Sequence, residues 1–547
     1  MEFRFRFLIG GVVLAYVFLL FHLYEVQVAR GKYYLAQAES QEAALGSILA
    51  KRGTVYFTDR EGNRIPAATN KGYPVIYAVP KAIEDPLEAA NQAALILGDS
   101  VEKLLASFSR KNATYVLLRK KPADPELVQK VREADIRGLY SEEVPGRFYP
   151  FGPLASHVLG FVSPNEDDNG ESGKYGVENF YDKTLQGVPG TIEDRKIIPA
   201  KSGGEIVLTI DPTIQREAEY IIENLAKKYS AKRASVIVEE PKTGRIIAMA
   251  STPRFDPNRY SESDIGTFLN PLVEEIYEPG SVFKIFTMAA GIDSGSISPE
   301  TKYYDTGKVV LNGKTIKNWD LKAHGEVTMT NVIEKSLNTG AAFAARKTGN
   351  SVFARYLRAF GFGDETGIDL PGELSGNLSR LHEKAPEINF ATASFGQGVA
   401  ITPLEVINAA SVIANGGRLM RPYINESLGP EIIREVIGAD AASKVAWMMV
   451  SAVDKAEVAH IDGFSIAGKT GTAQVPDLVR GGYTDRVINS YVGFGPVTNP
   501  RFAILIKLDE PAGAPLAGLT VVPAFRELAH FVINYYDIPP DRITEGN

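Results

Sequence analysis

The sequence predicts an α/β multi-domain chain behind an N-terminal transmembrane helix. Three observations carry this. At 547 residues the chain exceeds one ordinary core, and two to four domains are expected. An apolar run near the N-terminus is long enough to cross a bilayer. In the C-terminal half, strand-like segments flank a long, mostly helical stretch, which implies one α/β domain whose sheet is closed by distant parts of the chain.

Residues 7–24, Phe7 to Tyr24, contain no Asp, Glu, Lys or Arg. A helix of that length spans roughly 27 Å, enough for a hydrocarbon core. Arg4 and Arg6 lie in the short tail of residues 1–6, placing the N-terminus in the cytoplasm and the rest outside; Arg30 and Lys32 oppose this in part. A cleaved signal peptide is the alternative, but Tyr24-Glu25-Val26-Gln27 offers no small-residue cleavage site. The expectation is a single-pass protein of the cytoplasmic membrane with an extracytoplasmic bulk.

Residues 25–204 form the next unit, an α+β pedestal. Residues 28–50 read as a polar helical stalk, Lys32 to Gln41 in particular. Thr54–Phe57 and Pro74–Val79 read as strands, and helices follow near 85–109 and 124–135. From Pro145 to Pro199 the chain is irregular, with an exposed loop at Asn165–Gly173.

Residues 205–547 form the last domain. Glu205–Ile210 reads as a strand, and Asp211 caps a helix from Pro212 to Lys228. Ala234–Glu239 and Gly244–Met249 form a hairpin around Pro241–Gly244. Residues 281–460 are mostly helical. Strands return at Ser490–Phe494 and Phe502–Lys507, and a helix covers about 523–535.

Composition excludes several chemistries. Net charge is −7, which does not suit a nucleic-acid binder. There are no cysteines, so disulfides, thiol catalysis and thiolate metal sites are absent. Six histidines without an H-E-x-x-H give no sign of a zinc centre.

The most informative segment is Glu278-Pro279-Gly280-Ser281-Val282-Phe283-Lys284. Ser281 and Lys284 are three residues apart at the start of an apolar helical run, so they share a face. Lys284 is the one charge in that turn, and desolvation there lowers its pKa. A neutral amine beside a hydroxyl is a base beside a nucleophile. The Ser281 N–H, near a helix start, can face a developing oxyanion. The plain alternative is an N-cap serine and a snorkelling lysine. Ser336-Leu337-Asn338 and Lys469-Thr470-Gly471-Thr472 follow in the same domain. Alone, Ser336 and Asn338 read as loop caps and Thr470-Gly471 as a turn. Together, S-x-x-K, S-x-N and K-T-G form an ordered set with a Ser–Lys acylation chemistry. Gly463 to Thr470 also matches the P-loop pattern, but the continuation Gly471–Pro476 reads as a strand edge rather than a helix.

The chain from anchor to Pro540 resembles the class B penicillin-binding proteins. Besides the triplets, the similarity rests on Arg52-Gly53 with Asp59–Gly62, Arg147–Pro150 with His157 and Gly160, and Gly176–Glu178 with Tyr181-Asp182. Ser394–Gly398 with Thr402-Pro403 resembles a further catalytic-domain signature. The resemblance implies a penicillin-binding transpeptidase domain, a β-sheet sandwiched by helices with an all-α lobe, on a dimerisation-type pedestal. It implies that Ser281 attacks the penultimate D-alanine of a peptidoglycan stem peptide and that Lys284 takes its proton. Ser336 relays a proton to the leaving amine with help from Lys469, and Asn338 holds Lys284 and the substrate amide. Thr470 and Thr472 bind the substrate carboxylate, and the N–H groups of Ser281 and Thr472 form the oxyanion hole. Implied partners are donor and acceptor stem peptides, β-lactams as covalent inhibitors, a SEDS-family glycosyltransferase and other divisome or elongasome proteins. Val522–Phe525 with Ile538–Asp541 looks closer to division-type than elongation-type enzymes. An acylating hydrolase, a β-lactamase or D,D-carboxypeptidase, shares the triplets but leaves 28–204 unexplained. A non-enzymatic scaffold would leave the intact motifs unexplained.

Overall fold

The computed structural model describes residues 2–30, 50–110, 113, 115–119, 124–164, 171–193, 196–477, 480–513 and 516–542. The stalk helix expected within 28–50 lies almost wholly outside them, as do residues 165–170 of the expected loop. Glu171–Gly173, the end of that loop, instead pairs as a short antiparallel strand with Val162–Pro164.

Helix α1 (Glu2–Tyr24) runs into a wider turn at Glu25–Ala29. Across both, Ile9–Val28 is long and apolar enough to span a membrane, and its side chains are mostly exposed. This covers most of the span expected at 7–24.

The chain divides into two compact units. One comprises residues 1–54, 69–148 and 184–204. The other comprises 55–68, 149–183 and 205–547. Segments 55–68 and 149–183, read from sequence as pedestal, therefore cluster with the C-terminal unit.

Strand β1 (Val55–Thr58) belongs to the C-terminal unit, with the first residues of β2 (Arg64–Ala78). The rest of β2 builds the N-terminal unit. It pairs antiparallel with β3 (Val116–Arg119) and β4 (Leu139–Phe148). Helices α2 (Pro86–Leu97), α3 (Val101–Phe108) and α4 (Pro125–Ala134) supply its core with Ala90, Ala93, Leu104, Phe108 and Val131, against Ile76 and Ala78. The expected helix 85–109 is two helices because Gly98 turns left-handed at φ 68° and Ser100 caps the second.

In the C-terminal unit, β5 is only Ile206–Val207, parallel to β1, shorter than the strand expected at 205–210. Asp211 caps α5 (Pro212–Lys228) as expected, accepting from the N–H groups of Thr213 and Ile214. Strands β6 (Arg233–Glu240) and β7 (Arg245–Ser251) form the expected hairpin. Beyond them lie α6 (Lys284–Asp293), α7 (Met329–Lys335), α8 (Asn338–Thr348), α9 (Pro403–Ala414) and α10 (Ala439–Ala456). Strands β8 (Ala467–Pro476), β9 (Tyr483–Gly495) and β10 (Phe502–Asp509) and helix α11 (Val521–Tyr535) end the unit.

The five strands form one antiparallel sheet in the order β7-β6-β10-β9-β8. Strand β10, central, is buried along its whole length, so Phe502–Ile506 reads as an unbroken apolar run rather than an alternating one, and the charges that follow, Lys507 and Asp509, pair with each other. Helices α5 and α11 cover one face through Ile214, Ile222, Phe525, Leu528 and Val532. Helix α9, buried at every position, covers the other. The expected sandwich is present.

The helical lobe is not purely α. Lys302–Asp305 pairs with Gly325–Thr328, and Lys308–Leu311 pairs with Lys314–Lys317. The second hairpin turns at Asn312-Gly313, both at positive φ, the geometry that joins two twisted strands most easily.

Candidate active site

The edge strand β8 runs beside the turn that precedes α6. Pro279 and Gly280 lead into that turn, and Gly280 adopts φ 59°, a conformation glycine enters without penalty. Its N–H donates to Gly396 O at 3.3 Å, and a Cβ there would lie 3.0 Å from Thr472 O. Gly280–Phe283 is a 3-10 turn, and the α-helix begins only at Lys284. The expected helical start at Ser281 is thus tighter than an α-helix. In a 3-10 turn residues i and i+3 eclipse one another, which brings Ser281 and Lys284 closer into line. Phe283 packs on Phe362 and Phe286 at 4.8 and 5.5 Å between ring centroids, locking the turn from behind.

Lys284 is fully buried. Its Nζ lies 2.9 Å from Ser281 Oγ, 2.6 Å from Ser336 O and 3.1 Å from Ser336 Oγ. Burial, aided by the nearby charge of Lys469, holds its pKa well below the ordinary lysine value.

Ser336 closes α7 in the left-handed conformation, φ 55°. That turns both its carbonyl and its hydroxyl to Lys284. Lys469, on β8, lies 3.0 Å from the same Ser336 Oγ, and its Nζ also donates to Thr470 O at 3.0 Å and Thr470 Oγ1 at 3.3 Å. Burial pushes its pKa down to about 7. The two lysines are buried while Ser281, Ser336 and Thr470 are half-buried and Thr472 is exposed. Hydroxyls therefore reach the open side of the site with amines behind them.

Residues Ala467 to Pro476 form a strand, so no helix starts at Lys469 and the phosphate-loop geometry is missing. Thr470 and Thr472, two apart on β8, share its more open face. Gly471 faces the turn. A Cβ there would lie 2.7 Å from Pro279 O and 2.9 Å from Val282 Cγ2, so the strand can approach the nucleophile turn only with glycine here.

Asn338 departs from expectation. Its Nδ2 donates to Lys317 O at 2.9 Å, and Lys284 is held by Ser336 instead. Asn338 opens α8, and the left-handed Ser336 puts its own carbonyl where the amide was expected. Sequence reasoning also missed the support behind Asn338. Thr339 Oγ1 donates to Asp305 Oδ1 at 2.8 Å, Asn318 Nδ2 donates to Asp305 Oδ2 at 2.8 Å, and Trp319 Nε1 donates to Lys335 O at 3.0 Å. Only the Asn312-Gly313 turn signal could have pointed to this small β-lobe. Among the described residues no cluster of His, Asp or Glu has the arrangement of a metal site.

A half-buried serine against a buried lysine, a second serine touching both lysines and an edge strand alongside define a serine acyltransferase on a mixed α/β domain. The chain belongs to the penicillin-binding protein family, in its class B form. Residues 234–530 match the penicillin-binding protein transpeptidase domain, and residues 47–240 match the penicillin-binding protein dimerisation domain. The chain is 31% identical over 494 residues to stage V sporulation protein D of Bacillus subtilis, covering 85% of this chain and 75% of that one. It is 27% identical over 567 residues to the peptidoglycan D,D-transpeptidase FtsI of Escherichia coli K12, covering 100% and 94%. Among solved structures it is similar to penicillin-binding protein 3 of Mycobacterium tuberculosis complexed with aztreonam, with TM-score 0.69 and 26% identity over 91% of this chain and 98% of that one. Penicillin-binding protein 2X of Streptococcus thermophilus gives TM-score 0.73 and 25% identity, covering 90% and 81%.

Proposed function

We propose that this chain is a peptidoglycan D,D-transpeptidase that cross-links stem peptides through a Ser281 acyl-enzyme. The observation that carries the reading is the 2.9 Å separation of the buried Lys284 Nζ and Ser281 Oγ. Lys284 has three polar neighbours: Ser281 Oγ, Ser336 O and Ser336 Oγ. A neutral amine has two N–H groups and one lone pair. Donation to both Ser336 oxygens leaves the lone pair for the Ser281 hydroxyl proton. Lys469 has three acceptors, which suits an ammonium.

Ser281 Oγ attacks the carbonyl carbon of the penultimate D-alanine, and its proton passes to Lys284. Backbone N–H groups of Ser281 and Thr472 face the oxyanion. The Ser336 oxygen accepts from both lysines, so its own proton is free to pass to the departing nitrogen while Lys284 hands it the proton taken from Ser281. The C–N bond breaks and terminal D-alanine leaves. Lys469 balances charge, Thr470 and Thr472 hold the substrate carboxylate, and Gly471 lets the strand close on the turn. Asn338 orients the substrate amide rather than Lys284. An acceptor amine then attacks the ester, forming the cross-link and restoring Ser281. β-Lactams acylate the same oxygen.

The anchor, residues 7–24, follows a cytoplasmic tail of residues 1–6, and the pedestal (25–204) and catalytic domain (205–547) lie outside the cytoplasmic membrane. Arg4 and Arg6 support that orientation. A septal role is consistent with the likeness to FtsI, and a SEDS-family glycosyltransferase is the proposed membrane partner. Deleting residues 1–30 should abolish co-purification with such a partner, and undiminished recovery counts against it. The reaction itself is tested with a donor stem pentapeptide and an acceptor amine. Wild type should release D-alanine and form the cross-linked product, and Ser281→Ala should do neither. Release of D-alanine without product would favour a carboxypeptidase.

A further inference from the structure

Glu278 lies three residues before Ser281, and its carboxylate joins three separate segments. Tyr277 and Ile401 exchange backbone hydrogen bonds at 2.9 Å, which fixes the chain on which Glu278 sits. Glu278 Oε1 accepts from Gly398 N–H at 2.9 Å, and Oε2 accepts from the Tyr483 hydroxyl at 2.9 Å. Gly398 follows Gly396, whose carbonyl receives the Gly280 N–H beside Ser281. Tyr483 begins β9 and stands opposite Pro476, at the far end of the β8 edge that carries Lys469 to Thr472. The nucleophile turn thus lies between the 396–398 segment and β8, and one carboxylate bonds to the first flank directly and reaches the second through Tyr483 of β9, which pairs with Pro476 of β8. Arg380 lies close enough to act on Glu278 and Tyr483 alike. Burial raises the Glu278 pKa, while the Gly398 and Tyr483 hydrogen bonds and Arg380 oppose this.

We propose that Glu278 is a positioning residue for acylation: by holding Gly398 and Tyr483 together it sets the spacing between the Ser281 turn and the Lys469–Thr472 strand. Its proton does not take part in the reaction. The proposal rests on Ser281 being the nucleophile. Misplacing a reacting group by about 1 Å can cost on the order of a hundredfold in rate. Loss of the carboxylate therefore acts on the chemical step more than on ligand capture.

The test uses the full chain in detergent and stopped-flow labelling with a fluorescent penicillin, resolving the apparent dissociation constant from the limiting acylation rate. Glu278→Ala should lower the limiting rate by roughly ten- to a hundredfold, with a dissociation constant within about threefold of wild type. Tyr483→Phe, which removes one flank only, should lower it by a smaller factor. Glu278→Gln should recover most of the rate, because its amide oxygen accepts from Gly398 N–H and its NH₂ donates to the Tyr483 oxygen. A wild-type limiting rate in Tyr483→Phe or Glu278→Ala overturns the proposal, as does a Gln variant no better than Ala. If Glu278→Ala fails to fold, the Tyr483→Phe and Gln rates decide. Label retained by Ser281→Ala would be a separate failure, of the nucleophile assignment alone.

Discussion

Ser336 meets Lys284 twice, through its carbonyl oxygen at 2.6 Å and its hydroxyl oxygen at 3.1 Å. Ser336 ends α7 in the left-handed conformation, φ 55°, and there both groups meet the same amine. The carbonyl orients Lys284 and has no proton to exchange, while the hydroxyl links Lys284 to Lys469. The site therefore separates holding a base from moving a proton, within one residue.

That separation predicts different losses. Ser336→Ala keeps the carbonyl contact and loses the link to Lys469. It should still acylate with penicillin, with turnover of peptide donors falling further than penicillin acylation, because the amide leaving group needs a proton. Lys284→Ala should lower acylation itself by roughly 10²–10⁴, the usual contribution of a general base. Parallel rates on penicillin and a stem pentapeptide check both.

The pH profile follows from Lys469. Its pKa, pushed down to about 7 by burial, means the ammonium is lost as pH rises through 7. Burial holds the Lys284 pKa well below the ordinary lysine value, and protonation of that amine removes the base. The acylation rate should be bell-shaped, with an alkaline limb near pH 7. A rate that climbs steadily to pH 9 would show that the Lys469 charge is not needed.

Gly471→Ala should separate stability from approach of the strand. The added methyl meets Pro279 O and Val282, so the strand must move away from the nucleophile turn. Overpacking of this kind costs about 1–3 kcal/mol. The variant should fold, melt lower and label with penicillin on the order of a hundredfold more slowly. Calorimetry beside labelling checks this, and unchanged labelling would contradict the tight approach.

Glu239, on β6, is buried, and burial raises its pKa to about 8. An unfolded glutamate titrates near about 4.3. Between these values the folded state holds a proton that the unfolded state has released. Its stabilising contribution is thus fully present below about pH 4.3 and is lost as pH rises toward 8. Glu239→Gln should remove this slope, so the variant gains on wild type by a few kcal/mol, at about 1.4 kcal/mol per pH unit. Denaturant melts at pH 5 and 8 test it, and parallel slopes for both proteins would refute it.

Legibility varied with how local the cause was. Asp211 and Pro212 announced α5 because a cap and its helix are adjacent in sequence. The β6–β7 hairpin was equally readable from its turn. The Asn312-Gly313 hairpin carried as strong a signal but lay inside a stretch dominated by helical periodicity. Ser281, Lys284, Ser336 and Lys469 were legible because few chemistries need those residues in that order. The partner of Lys284 was not, because it is the Ser336 carbonyl, a backbone atom that any residue offers. Asp305 and Tyr483 act through contacts far apart in sequence, and nothing local marks them; Glu278 stood in the nucleophile segment, but its partners Gly398 and Tyr483 did not.

The most direct test of the account maps the adduct. The full chain is incubated with penicillin, denatured and digested, and the modified peptide is sequenced by mass spectrometry. One acyl group on Ser281, absent from Ser281→Ala and nearly absent from Lys284→Ala, is the predicted result. An adduct on another residue, or none on wild type shown to be folded by its melting transition, would contradict the Ser281–Lys284 mechanism.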